Sequence, residues 1–150
     1  MELNLFLSYL GIALMVGLSG IGSSMGLYNC GQAVNGAMRK DPTQMGKYIG
    51  LSALPSSQGL YGFVGYFFAI NLVKPDMPMQ TAIAILLCGT LLGVVGWVTA
   101  DKQSKILASG IASTADGHEV FASSMVMAVF PELYAILALL VNILVYGMLG

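Results

Sequence analysis

The sequence predicts an all-α membrane protein with four transmembrane helices arranged as two tandem hairpins. Of its 150 residues, 57% are hydrophobic and only 9% are charged, whereas soluble domains carry about 25% charged residues. Four apolar stretches are separated by short polar or proline-containing breaks, and each stretch exceeds the roughly 20 residues that a helix needs to cross a bilayer. We therefore expect a single membrane domain, with one hairpin over residues 3–73 and a second over residues 79–149.

The breaks define the individual helices. The first helix is expected over residues 3–38, because the sequence RKDP follows it and proline cannot continue a helix. The second is expected over residues 44–73 and ends at the stiff turn KPDMP. The third is expected over residues 79–112, before a polar turn at 113–117, and the fourth runs over residues 120–150. Helices of this length should tilt or project beyond the lipid.

The first helix is rich in small residues between Gly17 and Ala37. Gly22 and Gly26 form a GxxxG motif, which lets two helix backbones approach closely. A nucleotide-binding loop is excluded because no strand precedes the glycines. We expect this narrow helix to line the crowded inner wall of a homo-oligomeric ring, and a Gly22→Leu substitution to disrupt that ring.

One acid interrupts the fourth apolar stretch. Glu132 is flanked on both sides by apolar residues, and a charge at such depth costs roughly 2.5–3.5 kcal/mol on insertion scales. A membrane helix keeps such a residue only if the residue pairs, binds an ion or stays protonated. Glu132 is therefore the first candidate for a functional residue.

Oxygen-bearing side chains on two other helices are expected at similar depths. Counted at 1.5 Å per residue from the first break for Gln58 and from the third break for the other two, Gln58 lies about 21 Å deep, Glu132 about 22 Å and Gln103 about 15 Å. Ser57 is the neighbour of Gln58, and Pro55 frees a backbone carbonyl. Hard oxygen ligands of this kind suit a dehydrated alkali cation and do not indicate a transition metal.

The composition also bears on other functions. The net charge of −1 gives no reason to expect nucleic-acid binding. Cys30 and Cys88 lie in apolar stretches without a partner motif and are expected to be buried thiols. The single histidine, His118, has no nucleophile partner, so the chain itself is expected to have no catalytic site. Nothing in the sequence calls for an organic cofactor.

Two segments carry a family resemblance. LPSSQGLYGF at residues 54–63 and PELYAIL at 131–137, together with the two-hairpin layout and the glycine-rich first helix, resemble the proteolipid (K, or c-ring) subunit of prokaryotic V-type (A/V-type) rotary ATPases. The resemblance covers essentially the whole chain. It implies a lipid-embedded rotor ring of identical protomers that turns against a stator membrane subunit. It also implies that the cytoplasmic turns touch the central stalk and that ATP is hydrolysed or synthesised on partner subunits.

The resemblance further implies a set of ion ligands. In sodium-carrying members one backbone carbonyl and four side chains hold the ion, and the matching positions here are Leu54, Ser57, Gln58, Gln103 and Glu132. A tyrosine matching Tyr61 is expected to hydrogen-bond the acid and lock the site.

Two departures from the family pattern concern the neighbours of these ligands. Pro131 directly precedes the acid and can shift its backbone. Asp101 and Lys102 lie beside Gln103, where a less charged segment is expected. Asp101 can pair with Lys105 four residues later, or it can face the site and extend the ligand set.

The distribution of basic residues predicts the orientation. Five basic residues flank the first and third turns and one flanks the second; they are Arg39, Lys40, Lys47, Lys102 and Lys105, against Lys74. The positive-inside rule then places the first and third turns in the cytoplasm and both termini outside. The expected location is a prokaryotic cell membrane.

Three functional interpretations remain open at this point. The favoured one is a rotor ring that carries Na⁺ on Glu132. Burying carboxamides in lipid costs free energy, and a proton carrier gains nothing from them, whereas Na⁺ needs several oxygen ligands. The second is the same ring carrying H⁺. The third is a four-helix membrane scaffold or pore that is not coupled to ATP.

Overall fold

The computed structural model describes residues 2–149, and within that range the chain is entirely helical apart from its turns. Its helices are α1 (Glu2–Lys40), α2 (Met45–Ser52), α3 (Ser57–Ile70), α4 (Met79–Ala115) and α5 (Phe121–Leu149). A 3₁₀ turn (Leu54–Ser56) joins α2 to α3. Residues 2–149 thus form four helical rods, of which α2 and α3 together are the second and α1, α4 and α5 are the others. The predicted all-α fold is confirmed, and Gly150 of the predicted fourth helix lies outside the described residues.

Three of the rods are long and apolar enough to cross a membrane, namely α1, α4 and α5. With 39 and 37 residues, α1 and α4 are about 58 and 55 Å long, well beyond the roughly 30 Å of a hydrocarbon core. The second rod is divided at Pro55, which lacks an N–H and whose ring would collide with the preceding helical turn. This interruption is why neither α2 nor α3 alone reaches the length of a membrane span.

The centre of the molecule is the contact between α1 and α4. Their backbones approach so closely that a Cβ added at Gly93 would meet the carbonyl of Leu14, and one added at Gly89 would meet the carbonyl of Gly11. Small residues on both helices permit this approach, because no side chain has to fit between the two backbones. The expected close helix packing is therefore confirmed, and it occurs inside one chain.

Gly22 belongs to this internal contact. A Cβ at this position would collide with the Cα of Trp97 and lie 3.0 Å from its carbonyl oxygen. A Gly22→Leu substitution would thus separate α1 from α4 in the same chain, so it does not report on a ring of copies as the sequence suggested. Gly17 and Gly31 lie on another side of α1, where an added Cβ meets nothing within 4 Å.

The two cysteines lie in the two apolar clusters of the bundle. Cys30 packs with Tyr48, Leu51 and Leu107 near one end. Cys88 packs with Met15, Ile85, Leu92 and Tyr146 near the other. Both thiols are free and buried, as predicted.

The first and third turns lie side by side. Lys40 Nζ lies 2.6 Å from Asp116 Oδ1 and donates a hydrogen bond to it. This hydrogen bond, and the positive charge that makes it, lower the pKa of Asp116. The pair is therefore formed above the ordinary aspartate pKa and is lost as the pH falls through the lowered value. His118 and Glu119 are exposed in the connection between α4 and α5.

Candidate ion-binding site

Glu132 lies halfway along α5 and accepts hydrogen bonds from two other helices. Tyr61 on α3 donates its hydroxyl to Oε1 at 2.6 Å. Gln103 on α4 donates its Nε2 to Oε2 at 3.1 Å. Glu132 is half-buried, whereas Gln103 is fully buried. Both carboxylate oxygens thus have a neutral donor, which partly offsets the cost of a charge in an apolar bundle.

The carboxamide of Gln103 has a defined orientation. Its Nε2 also donates to the backbone carbonyl of Ala128 at 2.9 Å. A carboxamide nitrogen has two hydrogens, and the two acceptors on α5 use both of them. The oxygen of Gln103 must then point away from α5, and it accepts a hydrogen bond from Gln58 Nε2 at 2.9 Å.

Gln58 and Ser57 complete the cluster from the start of α3. Gln58 is fully buried. Ser57 Oγ donates to the carbonyl of Leu54 at 3.0 Å and lies 3.3 Å from Gln58 Oε1. The structure thus brings all of the residues named from the sequence into one connected network, which runs from Leu54 through the two glutamines to Glu132.

The break at Pro55 aims these side chains. Because α3 begins at Ser57, Ser57, Gln58 and Tyr61 occupy its first turn and the start of its second. Residues four apart lie on one face of a helix, so Ser57 and Tyr61 point to the same side, toward α4 and α5. The local sequence therefore builds one wall of the site, and α4 and α5 supply the rest.

Asp101 is not part of this network. Its Oδ2 lies 2.7 Å from Lys105 Nζ and 3.4 Å from Lys102 Nζ. The pairing with Lys105 is thus the alternative that the structure adopts, and Asp101 does not extend the set of groups around Glu132. Lys102 and Lys105 are exposed, and Asp101 is partly buried beside them.

The site contains one formal charge and several neutral oxygens. A monovalent cation would balance Glu132, and carbonyl, hydroxyl and carboxamide oxygens can replace a hydration shell. In the present arrangement Gln58 directs its nitrogen at Gln103, so both carboxamide oxygens can face one cation only if the Gln58 carboxamide turns over. If the Gln58 carboxamide turns over, Ser57 Oγ loses Gln58 Oε1 as an acceptor and donates only to the carbonyl of Leu54.

Two contacts near the site were missed at the level of sequence. One is the carbonyl of Ala128, which orients Gln103. The other is Ser23 on α1, whose Oγ accepts a hydrogen bond from the backbone N–H of Gly59 at 2.8 Å. A backbone carbonyl leaves no trace in a sequence, and Ser23 lies among many small residues of α1, so neither position carried a signal.

The family model for the C subunit of ATP synthase matches the chain twice, over residues 10–69 and 86–145. The two matches fall on the two hairpins. The second includes Gln103 and Glu132, and the first includes Ser57, Gln58 and Tyr61.

Two relatives extend this similarity over nearly the whole chain. The A-type ATP synthase subunit K of Methanocaldococcus jannaschii is 34% identical over 140 residues, which is 93% of this chain and 61% of that protein. The chain thus spans less than two thirds of the length of this relative. The V-type sodium ATPase subunit K of Enterococcus hirae is 31% identical over 126 residues, which is 84% of this chain and 81% of that protein.

Proposed function

We propose a function for this chain, which belongs to the family of ATP synthase C subunits. It is an ion-translocating proteolipid of a V-type rotary ATPase, and it carries Na⁺ on Glu132. Copies of the chain would form a rotor ring that turns against a stator membrane subunit. ATP hydrolysis or synthesis would take place on other subunits, with the central stalk at the cytoplasmic turns. The two hairpins would act as one membrane domain that shares a single acid.

The observation that carries this proposal is the hydrogen-bonded chain from Tyr61 through Glu132 and Gln103 to Gln58. It concentrates one carboxylate and two carboxamides in an apolar bundle. A proton carrier needs only an acid and at most one partner, so two buried carboxamides would be an unnecessary cost. A sodium carrier needs several oxygens in place of water.

The proposed cycle follows from the charge of Glu132. With Na⁺ bound, the carboxylate is neutralised, and the protomer can face lipid. Next to a positive group of the stator, the carboxylate gains a competing partner and releases the ion. Tyr61 holds the carboxylate in place while the ion is bound. The relative from Enterococcus hirae is subunit K of a V-type sodium ATPase, which supports this choice of ion.

Protection from a carbodiimide tests the ion directly, because the reagent modifies a protonated carboxyl group in an apolar site. Millimolar Na⁺ should slow the modification of Glu132 in the purified ring, and more so at higher pH, since protons and Na⁺ compete for the same carboxylate. Mass spectrometry of the modified peptide measures the rate. A modification rate that changes with pH but not with the Na⁺ concentration would instead identify a proton carrier.

A further inference from the structure

α1 packs against the 3₁₀ turn at Pro55 and the first half of α3 through a row of small residues. Successive turns of α1 face successive turns of the rod in antiparallel order, and a Cβ added to the glycine of each pair would crowd its partner. The three facing pairs are Gly26 with Pro55, Ser23 with Gly59 and Ser19 with Gly62. The interruption at Pro55 and the first turn of α3 are thus seated directly on α1.

The middle pair of this row contains a hydrogen bond between the two helices. The N–H of Gly59 donates to Ser23 Oγ at 2.8 Å, and Ser23 is only 7% exposed. The first N–H groups of a helix have no acceptor within that helix, and Gly59 lies in the first turn of α3. Ser23 therefore caps α3 from a different helix, in the manner of an N-cap residue.

The peptide unit that Ser23 caps lies next to Gln58 and one residue from Ser57, which both belong to the candidate ion-binding site. Gly59 directly follows Gln58, and the N–H of Gly59 belongs to the peptide unit that joins them. Holding this peptide fixes the rotation of the first turn of α3 about its axis. That rotation determines where the Ser57 hydroxyl and the Gln58 carboxamide point.

We infer that Ser23 is a positioning residue of the ion site. By capping the N–H of Gly59, it holds Ser57 and Gln58 on the side of α3 that faces Gln103, where their oxygens can reach a cation at Glu132. This role rests on the proposed function of the chain as a sodium carrier. Ser23 itself does not touch Glu132 or its two hydrogen-bond donors.

The substitution Ser23→Ala tests this role with a minimal change in volume. It leaves the partly buried N–H of Gly59 without its acceptor on α1, so the first turn of α3 loses its fixed position. We expect the Na⁺ concentration that half-protects Glu132 from carbodiimide to rise roughly five- to tenfold, the size expected for one lost hydrogen bond. The pH midpoint of labelling without Na⁺ should shift much less than the Na⁺ protection, because Tyr61 lies beyond the first turn of α3 and Gln103 lies on α4.

Ser19→Ala is the matched control. Ser19 lies one turn earlier on α1 and is fully buried, but its hydroxyl donates to the carbonyl of Met15 in its own helix at 2.6 Å. This variant should keep the wild-type Na⁺ protection. Native mass spectrometry and melting temperatures of both variants show whether either loses its assembly.

Three results would overturn the inference, and they are distinguishable. Wild-type labelling that ignores Na⁺ would remove the proposed sodium function, and the positioning role with it. A protected wild type with Ser23→Ala equal to Ser19→Ala would remove the positioning role alone. A Ser23→Ala variant whose pH midpoint shifts as much as its Na⁺ protection would indicate general loosening of the bundle instead.

Discussion

Glu132 owes its position to two neutral donors on different helices. The hydroxyl of Tyr61 and the carboxamide of Gln103 each occupy one carboxylate oxygen. Neither donor carries a charge, so the carboxylate can exchange partners with a cation without breaking an ion pair. A buried ion pair would be harder to break, because either charge left alone is strongly destabilising.

Glu132→Gln should abolish ion transport while the ring stays assembled. The substituted carboxamide has nearly the same shape, and its nitrogen can donate to the hydroxyl oxygen of Tyr61. It cannot alternate between a charged and a neutralised state, so transport by the reconstituted complex should fall to background. Transport near the wild-type rate would contradict the central role of this acid.

Tyr61→Phe should weaken Na⁺ protection of Glu132 by at least about tenfold, since hydrogen bonds to charged groups contribute about 1.5–3 kcal/mol. The carbodiimide assay described above measures this change. Tyr66→Phe is the control, because Tyr66 lies on the same helix but stacks with Phe63 instead of contacting the acid. Equal protection in the two variants would exclude a locking role for Tyr61.

At the scale of the elements, α1 presents two kinds of glycine. Gly22 lies against the backbone of α4, while Gly17 faces open space in the single chain. The first kind stabilises the protomer. The second leaves a narrow side of the helix available for contact with another copy, which is where the expected inner wall of a ring would lie.

The two kinds of glycine should respond differently to substitution. Gly22→Ala should destabilise the protomer by about 1–3 kcal/mol, as for overpacking of a core, and this can be measured by unfolding in detergent. Gly17→Leu should leave the stability of the protomer intact but prevent ring assembly. Normal rings of Gly17→Leu in native mass spectrometry would show that this side of α1 does not contact another copy.

At the scale of the molecule, the two hairpins are tied together from end to end. The salt bridge between Lys40 and Asp116 joins the first turn to the third at one end. At the other end, Asn4 donates to the carbonyl of Met77 in the second turn at 3.0 Å. The network around Glu132 lies between these two ties, and it draws on α3, α4 and α5 together.

The orientation in the membrane remains a prediction from the basic residues. A single cysteine at position 76, introduced after Cys30 and Cys88 are replaced, should react with an impermeant thiol reagent only from outside. A single cysteine at position 119 should react only from the cytoplasmic side. Reaction of position 76 from the cytoplasmic side would reverse the proposed topology.

The sequence by itself determined the class of protein, the four rods and the central acid. These properties follow from local features: runs of apolar residues, prolines that end helices, and one carboxyl group in a stretch without other charges. It also placed Gln58 and Gln103 at depths similar to that of Glu132, because depth along a helix can be counted from its end, whereas the contact between Tyr61 and the acid was expected from the family resemblance.

Only the tertiary structure decided how those side chains pair. The orientation of Gln103, the pairing of Asp101 with Lys105 and the bond from Gly59 to Ser23 all depend on the rotation of each helix about its own axis. That rotation is determined by how closely two backbones approach, as at Gly22 and Trp97. Depth along a helix is a local property, whereas rotation is the result of packing between residues distant in the chain.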